Sequence, residues 1–477
     1  MPDKVIPVDE HVPLKTKMLW GAGGLADNFM FNTLVTLGLL VYVDFYRMDA
    51  VLAGVALFLP RFVDAITDPW IGNLSDNTHS RWGRRRPYIL GGVIVSAILL
   101  PLLWTPPLLE SVQNVWWQNA PFFYLCLVGS ALAISYTCFV VPYTALGWEL
   151  TPNYDERTRV ISWRMYIGLF GSLTVSWLYR ATQLDWFDNI GSGAVWVSVI
   201  LAWIVLVTGL MPFFGCRETG VEQSQAKIKL VEAVRYTLTN RAFLILFVAY
   251  IIIIISLFSA SGVMPFLFIY YVFGGDKVMT GNYTGMLGTL AVVMSYLSMF
   301  LLAYISTRSS KRIAMLTGLG LALAGTLANW WAIHPDRPWA LFVAAAIAFL
   351  GLQGCWLMVD SMVGDICDDD ELASGRRREG MFSAVKGFAL KLAQALTSLI
   401  GAGLLALSGY DPDIANTTGI SIDTALRMKA LVIGFQSFGL LIAIGVMVYY
   451  PITRARANAT RKALEKKRGK LKMVESV

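Results

Sequence analysis

The sequence predicts an all-α membrane protein of twelve transmembrane helices, arranged as two pseudo-symmetric six-helix bundles. Three observations carry that expectation. Of 477 residues, 56% are hydrophobic and only 15% charged, against about 25% charged in a soluble domain. The apolar residues fall into some twelve stretches, most of them about twenty residues or longer, the length a helix needs to cross a bilayer. The two halves of the chain also repeat one order of loops and charges, a common transporter plan.

The elements follow in order. A polar opening runs to Lys17. The apolar stretch after it, 18–44, is too long for a signal core and has no clean cleavage site, so it reads as the first span. Spans 2 to 6 lie at 50–74, 88–106, 121–148, 160–180 and 192–214. Spans 7 to 12 lie at 243–272, 283–306, 312–333, 339–364, 381–408 and 428–451. This gives an N-terminal bundle (1–214), a central cytoplasmic loop (215–242), a C-terminal bundle (243–451) and a basic cytoplasmic tail (452–477). None of the stretches alternates over about ten residues, as barrel strands do.

The chain has 39 Lys and Arg against 32 Asp and Glu, a net charge of +7. Such a balance often points to nucleic acid, but the positions of the charges argue against it. Thirty of the 39 fall before span 1, in the even-numbered loops or in the tail, and six fall in the odd-numbered loops. Positive charge accumulates on the cytoplasmic side, so both termini are expected there, in an inner or plasma membrane. No nucleic-acid partner is expected; the bilayer is the partner. The remainder is Arg61, Lys386 and Lys391, with Arg164 at the edge of span 5. Acidic residues in spans are Asp27, Asp64, Asp68, Asp360 and, near an end, Asp365. Each mid-bilayer charge costs about 2.5–3.5 kcal/mol, so such residues line watery cavities or pair across helices.

The five cysteines form no CxxC or other metal spacing, and the three histidines share no motif. HExxH, GxSxG and P-loop patterns are absent from the sequence, so neither an enzyme nor a cofactor is expected.

Asp64 and Asp68 are four residues apart and share a helix face, with Arg61 close to it. Two neighbouring buried carboxylates repel, and a bound cation or a proton relieves the penalty. Na⁺ is a hard ion suited to oxygen ligands, and Thr67 offers a hydroxyl. The rival reading is a structural network in which Arg61 neutralises one Asp. In the following loop, Asp76 and the cluster Arg81, Arg84, Arg85 and Arg86 either pair across helix ends to hold one conformation closed or simply mark topology. Gly72 and Gly83 are expected to allow close packing or a turn. The later loops repeat an acidic-then-basic order, at Asp155–Arg159 and at Asp368–Arg378.

The run Arg61, Asp64, Asp68-Pro69, Gly72, Asp76 and Arg81-Trp82-Gly83-Arg84-Arg85-Arg86-Pro87 resembles the glycoside–pentoside–hexuronide:cation symporter family of the major facilitator superfamily. Further matches are Pro142-Tyr143, Glu156-Arg157-Thr158-Arg159 with Arg164, Trp356 with Asp365-Ile366, and Glu379 followed by Lys391. The similarity covers residues 15 to 410. The resemblance implies alternating access and cation-coupled uptake of a sugar or glycoside. It implies that Asp64 and Asp68 hold the coupling ion, Na⁺ or H⁺, with Thr67 and Thr137 as further ligands. Arg164, Trp356 and Lys391 are then expected in or near a central substrate cavity, together with Asp27, Asn28, Arg61 and Lys386. Asp76, Arg81, Arg84, Arg85, Glu156, Arg157, Asp365 and Glu379 are the gating candidates, and the protein is expected to act as a monomer.

The departures from the family leave the ligands open. Thr67 stands where a familiar member has Asn, which leaves Na⁺ against H⁺ undecided. Val140 and Thr144 replace a sugar-binding Asp and Trp, and Asn28, beside Asp27, replaces another Asp. A galactoside pocket is therefore not preserved. Lys386 stands where that member has a neutral polar residue. With Arg61, Arg164 and Lys391 it could form a basic cavity for an anionic substrate such as a uronate, a glucuronide or a sulfonated sugar. Alternatively, it pairs with Asp360 or Asp365. Other readings are a lysolipid carrier of the same superfamily and a non-transporting sensor.

Overall fold

The computed structural model describes residues 11–107, 120–151, 154–216, 237, 239–374 and 379–468. Among them every regular element is helical. In chain order these are α1 (Leu14–Leu39, continued by a π-helical turn Leu40–Phe45), α2 (Ala50–Asn77), α3 (Arg86–Leu102), α4 (Ala120–Glu149), α5 (Tyr154–Ser176) and α6 (Ile190–Gly215). They are followed by α7 (Arg241–Ser259, leading into a second π-helical turn, Leu267–Val272), α8 (Lys277–Arg308), α9 (Lys311–Ala332), α10 (Ala340–Ser374), α11 (Glu379–Leu407), α12 (Ile422–Val448) and α13 (Arg454–Arg468).

Among the described residues, ten helices are long and apolar enough to cross a membrane. Two expected spans fall outside that count for physical reasons. α3 is apolar but only 17 residues long. α5 carries Asp155, Glu156, Arg157, Arg159 and Arg164, which dilute its apolar content. Helices also outrun the predicted spans. α10 continues to Ser374 through Asp368, Asp369 and Asp370, because a helix persists past its apolar segment. Most of the central loop, all of the basic loop at 375–378 and the last nine residues of the tail lie outside the described residues.

Polar residues at the loop junctions start the helices. The Asp49 carboxylate accepts from the Val51 and Leu52 amides at 2.9 and 3.0 Å, satisfying donors that the first turn leaves unpaired. Asn189 and Ser192 form a reciprocal capping box at α6. Asn240 and Ser310 cap α7 and α9. Inside α2, Pro60 and Pro69 cannot donate to the carbonyls of Ala56 and Ala65 four residues back, which opens the helix ladder beside Asp64 and Asp68. The α2–α3 turn passes through Gly83 at φ +104°, so it needs a glycine. At Gly72 an added Cβ would meet only Val141, at an ordinary 3.5 Å, so close packing there is not required.

The described helices fall into two compact units. The first comprises Met1–Ser224, Ser261–Thr289 and Ser398–Thr424; the second comprises Gln225–Ala260, Leu290–Thr397 and Ala425–Val477. In the first, α1 packs on α5 and α6, α2 on α4, and α3 on α4 and α6. A Cβ on Gly92 would lie 2.6 Å from the Phe139 amide nitrogen, so α3 meets α4 backbone to backbone. Small residues favour this kind of packing where lipid supplies no hydrophobic drive between helices. In the second unit, α9 and α10 meet through Gly318 and Gly351, and the core gathers Phe243, Leu319, Met362, Phe382 and Leu440. α13 lies on α10, held by Arg456 on Asp369 at 2.7 Å.

Candidate transport site

Three of the four cation candidates, Asp64, Thr67 and Thr137, meet between α2 and α4. Asp64 is buried, and its carboxylate accepts from the Thr137 hydroxyl at 2.6 Å. Thr67 lies 3.3 Å from the same hydroxyl and donates to the Val63 carbonyl at 2.9 Å. Asp68 follows one turn after Asp64 on α2, and its Oδ1 is buried. The Asp64 carboxylate and the two hydroxyls, with Asp68 one turn further along α2, are oxygen ligands of the kind that suit a hard monovalent ion or a shared proton. Among the described residues no three His, Cys, Asp or Glu side chains come together as a metal cage. Arg61 lays its guanidinium 3.7 Å from the centre of the Phe31 ring and donates to the Phe31 carbonyl at 2.9 Å. A recess of about 330 Å³, its open mouth included, has Arg61, Asp64 and Tyr136 on its wall.

Of the first unit's substrate candidates, Arg61 lies beside the cation group, while Asp27, Asn28 and Arg164 lie on α1 and α5, with Tyr136 of α4 beside them. Arg164 pairs with Asp27 at 2.7 Å, and Tyr136 donates to the other oxygen of Asp27 at 2.9 Å. Asn28 donates to Ser172 at 3.0 Å and to the Gly168 carbonyl at 3.3 Å. Asn32 donates back to Asn28, at 3.0 Å to its carbonyl and 3.2 Å to its side chain. Sequence reasoning named Asp27, Asn28 and Arg164 but missed Tyr136, whose only linear signal is a position beside Thr137.

The gating candidates assemble in part. Arg85 binds Asp76 at 2.8 Å and Glu149 at 2.8 Å, and Arg84 also pairs with Glu149. Arg81 lies over the Trp82 ring at 4.8 Å. Glu156 is buried beside Lys17 and accepts from the Val12 amide at 3.1 Å. The side chains of Arg157 and Glu379 lie outside the described residues. Glu149 and Lys17 were not anticipated: the first closes an apolar run, and the second was counted as a topology charge. Arg85 is nine-tenths buried and bridges two carboxylates. Arg85→Gln should therefore destabilise the fold by roughly 1 kcal/mol, since Glu149 loses one of its two guanidinium partners but keeps Arg84, while the half-exposed Asp76 can turn to water. Thermal unfolding in detergent measures this, and an unchanged midpoint would mean the bridge carries no stability.

A third cluster of the first unit was not foreseen. Asp44, in the π-helical turn after α1, is 2% exposed. It accepts from Tyr270, in the second π-helical turn, and from Lys277 at the start of α8, and the Tyr410 hydroxyl lies 3.4 Å away. Nearby, Arg180 donates to Asn282 at 3.0 Å. π-Helical turns are rare and favour functional positions.

In the second unit, Lys386 pairs with Asp360, and Asp365 pairs instead with Lys311 at 2.6 Å. Of the two expectations for Lys386, an anion-binding group or a partner for an acid of α10, the geometry matches the second, with Asp360 as the acid. Trp356 sits one turn before Asp360 and packs edge-on against Tyr250, ring centres 5.5 Å apart. The Lys391 ammonium is buried.

The fold agrees with comparisons to known proteins. The model of the MFS/sugar transport protein family matches residues 19–454. An isoprimeverose transporter of Lactiplantibacillus pentosus is 25% identical, over 92% of this chain and 89% of that one. A glucuronide carrier protein homolog of Escherichia coli (strain K12) is 26% identical over 94% of both chains. The solved structure of a D-xylose–proton symporter shares the fold, with a TM-score of 0.64 at 13% identity over 92% of this chain and 98% of that one. The match across nearly the whole chain, with the α2 signature in place, shows that the chain belongs to the MFS/sugar transport protein family, as a multi-pass membrane transporter of the glycoside–pentoside–hexuronide symporter type.

Proposed function

We propose that the protein is a twelve-span symporter of two six-helix bundles, with both termini in the cytoplasm, and that it imports a sugar or glycoside together with Na⁺ or H⁺ by alternating access. One observation carries this reading. Two consecutive residues of α4 reach the two candidate ligand sites: Thr137 binds Asp64 of the cation cluster, and Tyr136 binds Asp27 of the Asp27–Arg164 pair. A cation that draws Asp64 away from Thr137 acts on the same turn of α4 that positions Asp27. Each ligand then biases the conformational balance by its differential affinity for the two states. The relatives named for isoprimeverose and glucuronide support a glycoside as cargo.

The test is uptake into proteoliposomes of purified protein, with p-nitrophenyl glycosides as probes. An imposed inward Na⁺ or H⁺ gradient should drive accumulation above equilibrium. Equal uptake with and without both gradients would make the protein a uniporter and overturn the coupling.

A further inference from the structure

The Asp360–Lys386 pair has an unusual placement. α10 runs from Ala340 to Ser374, past the end of the expected span at 364, and Asp360 lies four residues inside that end. Its carboxylate is nevertheless 65% exposed, and Lys386 of α11 is 27% exposed. A charge inside the end of a span faces water, since hydrocarbon would penalise it. The same stripe of α10 carries Gln353, Trp356 and Gly364 at helical spacing, while Met358, Val359, Met362 and Val363 face the core. Trp356 is braced by Tyr250, which fixes the ring one turn from the pair.

An exposed ion pair adds little to stability, so stability does not account for its presence. It can, however, be opened cheaply by a ligand that satisfies both partners. Sugar hydroxyls do so, because they donate to the carboxylate and accept from the ammonium. A ligand carboxylate satisfies Lys386 but meets the repulsion of Asp360. We propose that Asp360 is a substrate-binding residue, and that the Asp360–Lys386 pair beside Trp356 selects uncharged glycosides over acidic ones. Asp360 acts as a built-in anion that masks Lys386. This inference rests on the sugar-transport reading and narrows its substrate class to the neutral one.

The experiment uses matched probes that differ mainly by one carboxylate: p-nitrophenyl glucosides and galactosides against the corresponding glucuronides and galacturonides, in both anomers. Gradient-driven uptake into proteoliposomes by the unaltered protein should favour the neutral members. Transport of no probe at all would overturn the sugar-transport reading together with the subsite. Preference for the acidic members would overturn the subsite alone. In Asp360→Asn, the ratio of acidic to neutral apparent affinity should rise about tenfold or more, the size of one unmasked charge contact. Adding Lys386→Gln should cancel that rise. An unchanged ratio in Asp360→Asn would overturn the proposal. If Asp360→Asn does not fold, the exchanged pair Asp360→Lys with Lys386→Asp decides the matter. It restores a purely structural bridge, and full recovery of neutral uptake would overturn the substrate role. A folded protein with neutral uptake reduced about tenfold or more would support it.

Discussion

Asp64→Asn is expected to abolish cation-driven accumulation of sugar while leaving the protein folded in the membrane. The change keeps the shape of the side chain and its acceptor for the Thr137 hydroxyl, a bond of 2.6 Å. It removes only the charge that makes the site attractive to Na⁺ or able to carry a proton. Losing a contact to a charged group costs about 1.5–3 kcal/mol, or about 10- to 100-fold in apparent cation affinity. Coupled uptake should fall at least that far. Sugar exchange across the bilayer without a gradient should persist, because Asp27 and Arg164 are untouched. Thr137→Val removes one neutral hydroxyl and should cost about tenfold or less. If Asp64 served only a structural network, Asn would fill the same role, and retained cation stimulation in Asp64→Asn would refute the assignment.

How much of this was legible in the sequence depends on the range of the interaction. Asp64 and Asp68 stand out because one helical turn links them, and Arg61 falls on the same part of the turn. Twelve apolar stretches can be read because each is local. The partners could not be read. Asp27 meets Arg164 across 137 residues and Tyr136 across 109. Thr137 entered only through a family resemblance, since a hydroxyl in an apolar helix carries no linear signal. Hydropathy also blurs the ends of helices. It ended span 4 at 148, one residue short of Glu149, which holds both Arg84 and Arg85. It placed Asp44 at the last position of span 1, where a charge reads as a boundary. The α5 charges that make the site interesting are the ones that lower its apolar content as a span.

Lys277→Met should damage the protein more than Asp44→Asn, although both break one ion pair. The asymmetry follows from burial. The Asp44 side chain is 1% exposed, whereas that of Lys277 is 25% exposed. Removing the ammonium leaves a carboxylate that cannot reach water, a loss of about 3 kcal/mol for a broken buried pair. The hydroxyls of Tyr270 and Tyr410 offset part of that by donating to it. Removing the carboxylate charge leaves an ammonium that can turn toward solvent, at a cost of about 1 kcal/mol. The double variant restores neutrality and should recover most of the loss, ending about 1 kcal/mol below the unaltered protein, a coupling energy of about 3 kcal/mol in a thermal-unfolding cycle in detergent. Strict additivity would mean that the two residues do not act as a unit. The cluster joins the turn after α1, the turn after α7, the start of α8 and the segment after α11 through one carboxylate. Any transport step that separates these segments has to break that carboxylate's contacts. The double variant should therefore exchange sugar at an altered rate even where its stability is regained, and stopped-flow counterflow at matched protein content measures that difference.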